Sequence, residues 1–84
     1  MRLDKYLKIS RLIKRRTVAN AACDEGLISV NGKPARASYE IKIGDFITLG
    51  IGNRVITVEV LKIQDSVKQA DAAGMYREVS SGEN

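Results

Sequence analysis

Histidine and tryptophan are absent from the 84 residues, and cysteine, proline and phenylalanine occur once each. With Cys23 alone and no histidine, the chain cannot close an internal disulfide or build a cysteine-based zinc site, and it lacks the commonest metal ligand. There is no second cysteine and no paired-carboxylate motif from which to assemble a nucleophile or an acid–base pair, so no enzyme activity, no cofactor and no metal are expected. Aromatic side chains are limited to Tyr6, Tyr39, Tyr76 and Phe46. A base-stacking platform is therefore poorly supplied, and recognition of backbone and shape is expected instead. No apolar run approaches the roughly eighteen residues needed to span a bilayer, and no signal-type apolar stretch follows the basic start. A reducing, cytoplasmic setting without a membrane partner is expected.

What is present is charge, unevenly placed. Residues 1–16, MRLDKYLKISRLIKRR, hold seven of the fourteen Lys and Arg and one of the ten acids, while the other 68 residues are slightly acidic. A cation-dense stretch of this kind is the electrostatic footprint of a phosphate-binding surface, which makes nucleic acid the expected partner. The composition, 44% hydrophobic and 29% charged, is that of a globular chain, and its length suits one small core.

Leu3, Tyr6 and Leu7 recur at helical spacing, which predicts a first helix over Arg2 to Ile9. Ser10 to Lys14 reads as a tight, basic connection with Leu12 and Ile13 anchored in the core. Thr17 or a neighbour is expected to cap a second helix, whose Val18, Ala19, Ala21, Ala22 and Cys23 allow close packing and which Gly26 stops. Asp24 and Glu25 stand at that helix's C-terminal end, where the dipole disfavours negative charge. Leu27 to Val30 is β-prone, and Asn31-Gly32 after it suits a two-residue hairpin turn. Pro34 makes the return, Lys33 to Ala37, an edge or irregular strand. Beyond the Gly44-Asp45 turn, Phe46 to Ile51 and Arg54 to Ile63 alternate as two strands joined at Gly52-Asn53. Gln64 to Met75 regains helix formers, and Tyr76 and Arg77 are expected to dock that last helix onto the strands, or alternatively to touch a partner protein. The chain reads as α+β: residues 1–64 form the domain with its β extension, and residues 65–84 add a short helix and a flexible tail.

Phosphate contacts would fall to Arg2, Lys5, Arg11, Lys14, Arg15 and Arg16, because arginine offers a planar fork of donors and lysine a mobile point charge. If six such contacts formed on a duplex, the logarithmic salt slope would be about −5. Arg15 and Arg16 precede the second helix, where backbone N–H groups and the dipole add to the same site, and Thr17 either caps that helix or donates to RNA. Asp4 is an acid among cations. It is read as a neighbour's counter-charge or a helix-start residue, and alternatively as a member of the RNA-binding site that orients Arg16 or another arginine by a salt bridge or accepts from an RNA hydroxyl. Lys33, beside the Asn31-Gly32 turn, and Lys42, before Gly44-Asp45, are outlying candidates. Asp45 is read as a turn former, and Cys23 and Tyr6 as core residues. Two short helices around a tight turn also describe a helix-turn-helix DNA binder, but Val18 to Cys23 are too small and apolar to read bases.

The segments RLDKYLKISRLIKRRTVA, GLISVNGKPARAS and IKIGDFITL together resemble the alpha-L, or S-four type, RNA-binding domain over roughly residues 1 to 50. The resemblance implies two N-terminal helices packed on a small, mostly antiparallel sheet of about four to five strands. The length leaves no room for an attached catalytic domain, and the continuation ITVEVLKIQDSVKQADAAGMYREV is similar to stand-alone members that act in bacterial ribosome-associated quality control. What that resemblance implies is a factor on the large ribosomal subunit, in contact with rRNA and peptidyl-tRNA and in company with a tailing factor; a monomer is expected. There it would support template-free C-terminal tailing of stalled nascent chains. A less close resemblance, to the small heat-shock RNA-binding protein, implies large-subunit recycling.

Overall fold

The computed structural model describes residues 1–65 and 69–81. Helix α1 is Leu3–Ile9 and helix α2 is Arg16–Asp24. Strands β1 (Ile28–Val30), β2 (Lys33–Pro34), β3 (Phe46–Ile51), β4 (Arg54–Val60) and β5 (Tyr76–Ser81) form one sheet in the order β2-β1-β3-β4-β5. Every neighbouring pair is antiparallel.

Leu3, Tyr6 and Leu7 are wholly buried, as their spacing predicts. They meet Ala19 and Cys23 of α2 and the alternating Ile28, Val30, Ile47, Leu49, Val58 and Val60 of the sheet in one core. Helix α1 stops after two turns because Ser10 turns its hydroxyl back to the Leu7 carbonyl (3.3 Å) and Arg11 enters the left-handed region at φ 64°. Leu12 and Ile13 then fold back half-buried against the core. Gly26, at φ 77°, ends α2 where a residue with a side chain would be strained.

Asn31 (φ 53°) and Gly32 (φ 85°) both take positive φ and close the β1–β2 hairpin. Asn31 does more than turn. Its side-chain oxygen accepts from the Phe46 N–H (2.9 Å), and its amide donates to Asp45 (3.1 Å), which fixes this hairpin against the start of β3. Pro34 sits on the outer strand β2, where a missing donor costs nothing.

The C-terminal part departs from the sequence expectation in three particulars. Strand β4 ends at Val60, short of Ile63, because the N–H groups of Leu61 and Lys62 both turn to the Met75 carbonyl (2.8 and 3.1 Å). The helical segment is a 3₁₀ helix, Gln69–Met75, and Gln64 and Asp65 lie outside it. Met75 O also accepts from the buried Tyr6 hydroxyl (2.7 Å), so α1, the end of β4 and the 3₁₀ segment converge on one carbonyl. Finally, Tyr76 and Arg77 do not dock a helix onto the strands but open strand β5 themselves: half-buried Tyr76 packs on the core, exposed Arg77 pairs across to Glu59, and a bulge shifts the register between Thr57 and Val58. Residues 66–68 of the expected helix and 82–84 of the expected tail fall outside the described residues. No helix among the described residues is long and apolar enough to cross a membrane.

Candidate nucleic-acid interface

Asp4 is 2% exposed, which for a carboxylate demands partners. It has them from both helices and from Arg2, the residue that precedes α1. Its Oδ1 accepts the N–H of Lys5 (2.8 Å), the next residue of α1. Arg2 approaches with Nε (3.2 Å) and Nη2 (3.4 Å), and Arg16, at the start of α2, with Nε (3.3 Å) and Nη2 (3.4 Å). Asn20, one turn further along α2, donates its amide at 3.4 Å. Burial pushes the Asp4 carboxyl up, but the hydrogen bonds from Arg2, Arg16 and Asn20 outweigh it and hold the group below its ordinary value. Asp4 is ionised at neutral pH, and it fixes two guanidiniums that are themselves about half exposed, 50% for Arg2 and 46% for Arg16. A cationic edge is thus pinned from beneath while its outer donors stay available to phosphate.

The backbone locks the same corner. Segment 35–41 crosses the start of α1: the Tyr39 and Ala37 carbonyls accept the Leu3 (2.8 Å) and Asp4 (3.1 Å) N–H groups, and the Ile41 N–H donates to Met1 O (2.9 Å). The N-cap residue Arg2 makes no side-chain cap, so these carbonyls take the Leu3 and Asp4 N–H groups, while the Asp4 carboxylate takes that of Lys5.

The remaining sequence candidates are distributed around this hub. Lys5 faces Asp65 at 3.4 Å on the surface. Arg11, Lys14 and Arg15 are exposed, with no acidic partner among the described residues. Thr17 does not cap α2. The helix begins at Arg16, so Thr17 lies inside its first turn, and Arg15 takes the cap position with no side-chain hydrogen bond. Lys14 and Thr17 border an apolar groove formed with Leu12, Ile13, Val18 and Leu27. Lys33, on β2, and Lys42, whose N–H donates to Asp45 (2.9 Å), lie at the hairpin end that Asn31 and Asp45 tie together. No hydrogen bond among the described residues joins them to the Asp4 hub.

Two residues at the hub were not singled out from sequence. Asn20 carried a signal, a lone amide within the run Val18-Ala19-Asn20-Ala21-Ala22. Arg36 carried only its position between Ala35 and Ala37. Both alanines are buried, so Arg36 between them faces out, beside Arg2.

Two short helices on an antiparallel sheet with arginines fixed at their junction define an S4-type RNA-binding module, and the S4 domain family model matches residues 1–47. Over 80 residues the chain is 52% identical to the RQC P-site tRNA stabilizing factor of Streptococcus pneumoniae, covering 95% of this chain and 91% of that protein. Against the Bacillus subtilis protein of the same name it is 51% identical over 76 residues, 90% of this chain and 88% of the other. The solved structure of Vibrio cholerae heat shock protein 15, described as trimeric, superposes with a TM-score of 0.88 at 34% identity, covering 95% of this chain and 82% of that one. The chain belongs to the S4 domain family, in the branch of the short RQC P-site tRNA stabilizing factors.

Proposed function

We propose that this protein is an RNA-binding ribosome quality-control factor. It sits on the large ribosomal subunit in the cytoplasm, contacts rRNA and peptidyl-tRNA, and supports template-free C-terminal tailing of stalled nascent chains alongside a tailing factor. It works by binding and positioning rather than by catalysis. The observation that carries the RNA-binding part is the Asp4 hub, which presents Arg2 and Arg16 in one fixed arrangement. Structured RNA offers phosphates at fixed spacings, and a surface whose cations are already ordered loses less side-chain entropy on meeting them. The names of the relatives supply the ribosomal setting and the P-site tRNA.

Within this reading Arg2 and Arg16 make the central phosphate contacts and Asp4 positions them. Lys5, Arg11, Lys14 and Arg15 extend the surface, Thr17 adds a hydroxyl, and Lys33 and Lys42 reach outlying phosphates. Sedimentation of the C-terminally tagged protein through sucrose gradients tests this. It should travel with large subunits at low salt and leave them at high salt, and Arg16→Ala should release it with an unchanged circular-dichroism spectrum. Wild-type protein confined to the top of the gradient at low salt would overturn the proposal. The fold shared with heat shock protein 15 favours a second reading, large-subunit recycling; peptidyl-tRNA recovered with the particles separates the two, because tailing requires it in place.

A further inference from the structure

Beside the hub, α2 and the 35–41 segment frame an open, shallow hollow of about 440 Å³, bordered by Arg2, Asn20, Asp24, Arg36 and Ser38. Its lining is mostly polar, and it holds groups of both signs: two guanidiniums, a carboxylate, an amide and a hydroxyl. Arg36 is placed there by the backbone. Its neighbours Ala35 and Ala37 are buried, the Ala35 N–H donates to Ile28 O (3.1 Å), and Ala37 O accepts from the Asp4 N–H (3.1 Å). Among the described residues Arg36 has no carboxylate partner.

Asp24 is the informative member. It ends α2, a helix with no basic residue in its last turn, where a negative charge is disfavoured by the dipole. Local rules broken without compensation in the fold point to functional positions. A bare phosphate would be repelled by this carboxylate. A nucleotide would not be: its phosphate carries the charge that suits Arg36 and Arg2, and its ribose hydroxyl is a donor that suits Asp24. We propose that this hollow is a subsite for a single RNA nucleotide, with the phosphate on Arg36 and Arg2 and the 2′-hydroxyl on the Asp24 carboxylate. Asn20 and Ser38 supply the neutral rim, and the hydroxyl contact makes the subsite selective for RNA over DNA.

This inference rests on the RNA-binding reading, and the test separates the two. Binding of unfractionated bacterial tRNA is measured by filter retention across a salt series for wild type, Arg16→Ala, Arg36→Ala, Arg36→Lys and Asp24→Ala, with melting temperatures taken in parallel. Arg36→Ala should weaken binding roughly five- to twenty-fold and reduce the salt slope by about one unit, with Arg36→Lys recovering part of the loss. Asp24→Ala gives the decisive sign. Removing an acid from a merely electrostatic surface tightens RNA binding, whereas removing the hydroxyl acceptor weakens it, and the fold, relieved of an unfavourable charge, should melt no lower. Loss with Arg16→Ala but wild-type binding by Arg36→Ala, or tighter binding by Asp24→Ala, overturns the subsite and leaves the RNA-binding reading intact. No loss with Arg16→Ala overturns that reading as well.

Discussion

Replacing Asp4 by asparagine tests whether the cationic surface is held by the fold or merely displayed on it. Asparagine keeps the shape and an oxygen for the Lys5 N–H, but it removes the charge and sets an amide donor against the donors of Arg16 and Asn20. Exposed ion pairs are worth ~0–1 kcal/mol, and breaking a buried one costs ~3–5 kcal/mol. Here the carboxylate is buried, but both guanidiniums are about half exposed and rehydrate when it is lost, which brings each pair down to the top of the exposed range, about 1 kcal/mol. About 2 kcal/mol in total is expected, a fall of roughly 8–16 °C in melting temperature for a domain of this size. The folded-state pKa of Asp4 lies below the unfolded value of 3.8, so its contribution is complete above that pH and is lost as pH falls through the folded value. Thermal unfolding followed by circular dichroism should show a constant gap between wild type and Asp4→Asn from neutral pH down to about 4.5, narrowing below 3.8. RNA affinity should fall even though the variant is one charge more positive. Equal melting temperatures at pH 7, or tighter RNA binding, would refute the idea that Asp4 holds the arginines.

Two smaller perturbations probe the core beneath that surface. Tyr6→Phe removes the donor to Met75 O, while the carbonyl keeps its bonds from Leu61 and Lys62. With no acceptor orphaned, the loss should be about 1 kcal/mol, read as a lower urea midpoint at unchanged slope, and a loss above ~3 kcal/mol would show that the hydroxyl supports more than this junction. Cys23 is buried, and burial, helped by the charges of Asp4 and Asp24, pushes its thiol up to about 11. At pH 8 a disulfide reagent should modify it only as fast as the protein opens, and rapid modification of the native protein would contradict the packing of α2.

The helices, the Asn31-Gly32 hairpin and the edge position of Pro34 were legible because each depends on neighbours within a few residues: apolar spacing, tolerance of positive φ, a missing donor. The C-terminal part was less so. Nothing within Leu61 to Met75 announces that one carbonyl will collect Tyr6, Leu61 and Lys62, yet that convergence cuts β4 short and turns the chain into β5. Thr17, offered with its neighbours as the cap, lies inside the helix for a related reason. The register of α2 answers to Arg16, which reaches a carboxylate twelve residues earlier, and not to the side chain best suited to capping.

The same distinction separates what could be seen of the interface from what could not. A cluster of cations is visible as composition, but whether it forms a surface depends on what lies under it. Asp4 and Arg16 stand on different helices, and Asn20 on the far side of a turn, so their meeting is a property of how α1 packs on α2. Arg36 is further still from legibility, since the backbone bonds of segment 35–41 to α1 bring it beside Arg2 with no side-chain signature at all. A buried acid coordinating half-exposed arginines also couples binding to folding: the contacts that order the guanidiniums are those that join the helices. RNA that engages Arg2 and Arg16 should therefore raise the melting temperature in proportion to the logarithm of its concentration above Kd, and Asp4→Asn should weaken that coupling by lowering the affinity of the folded state.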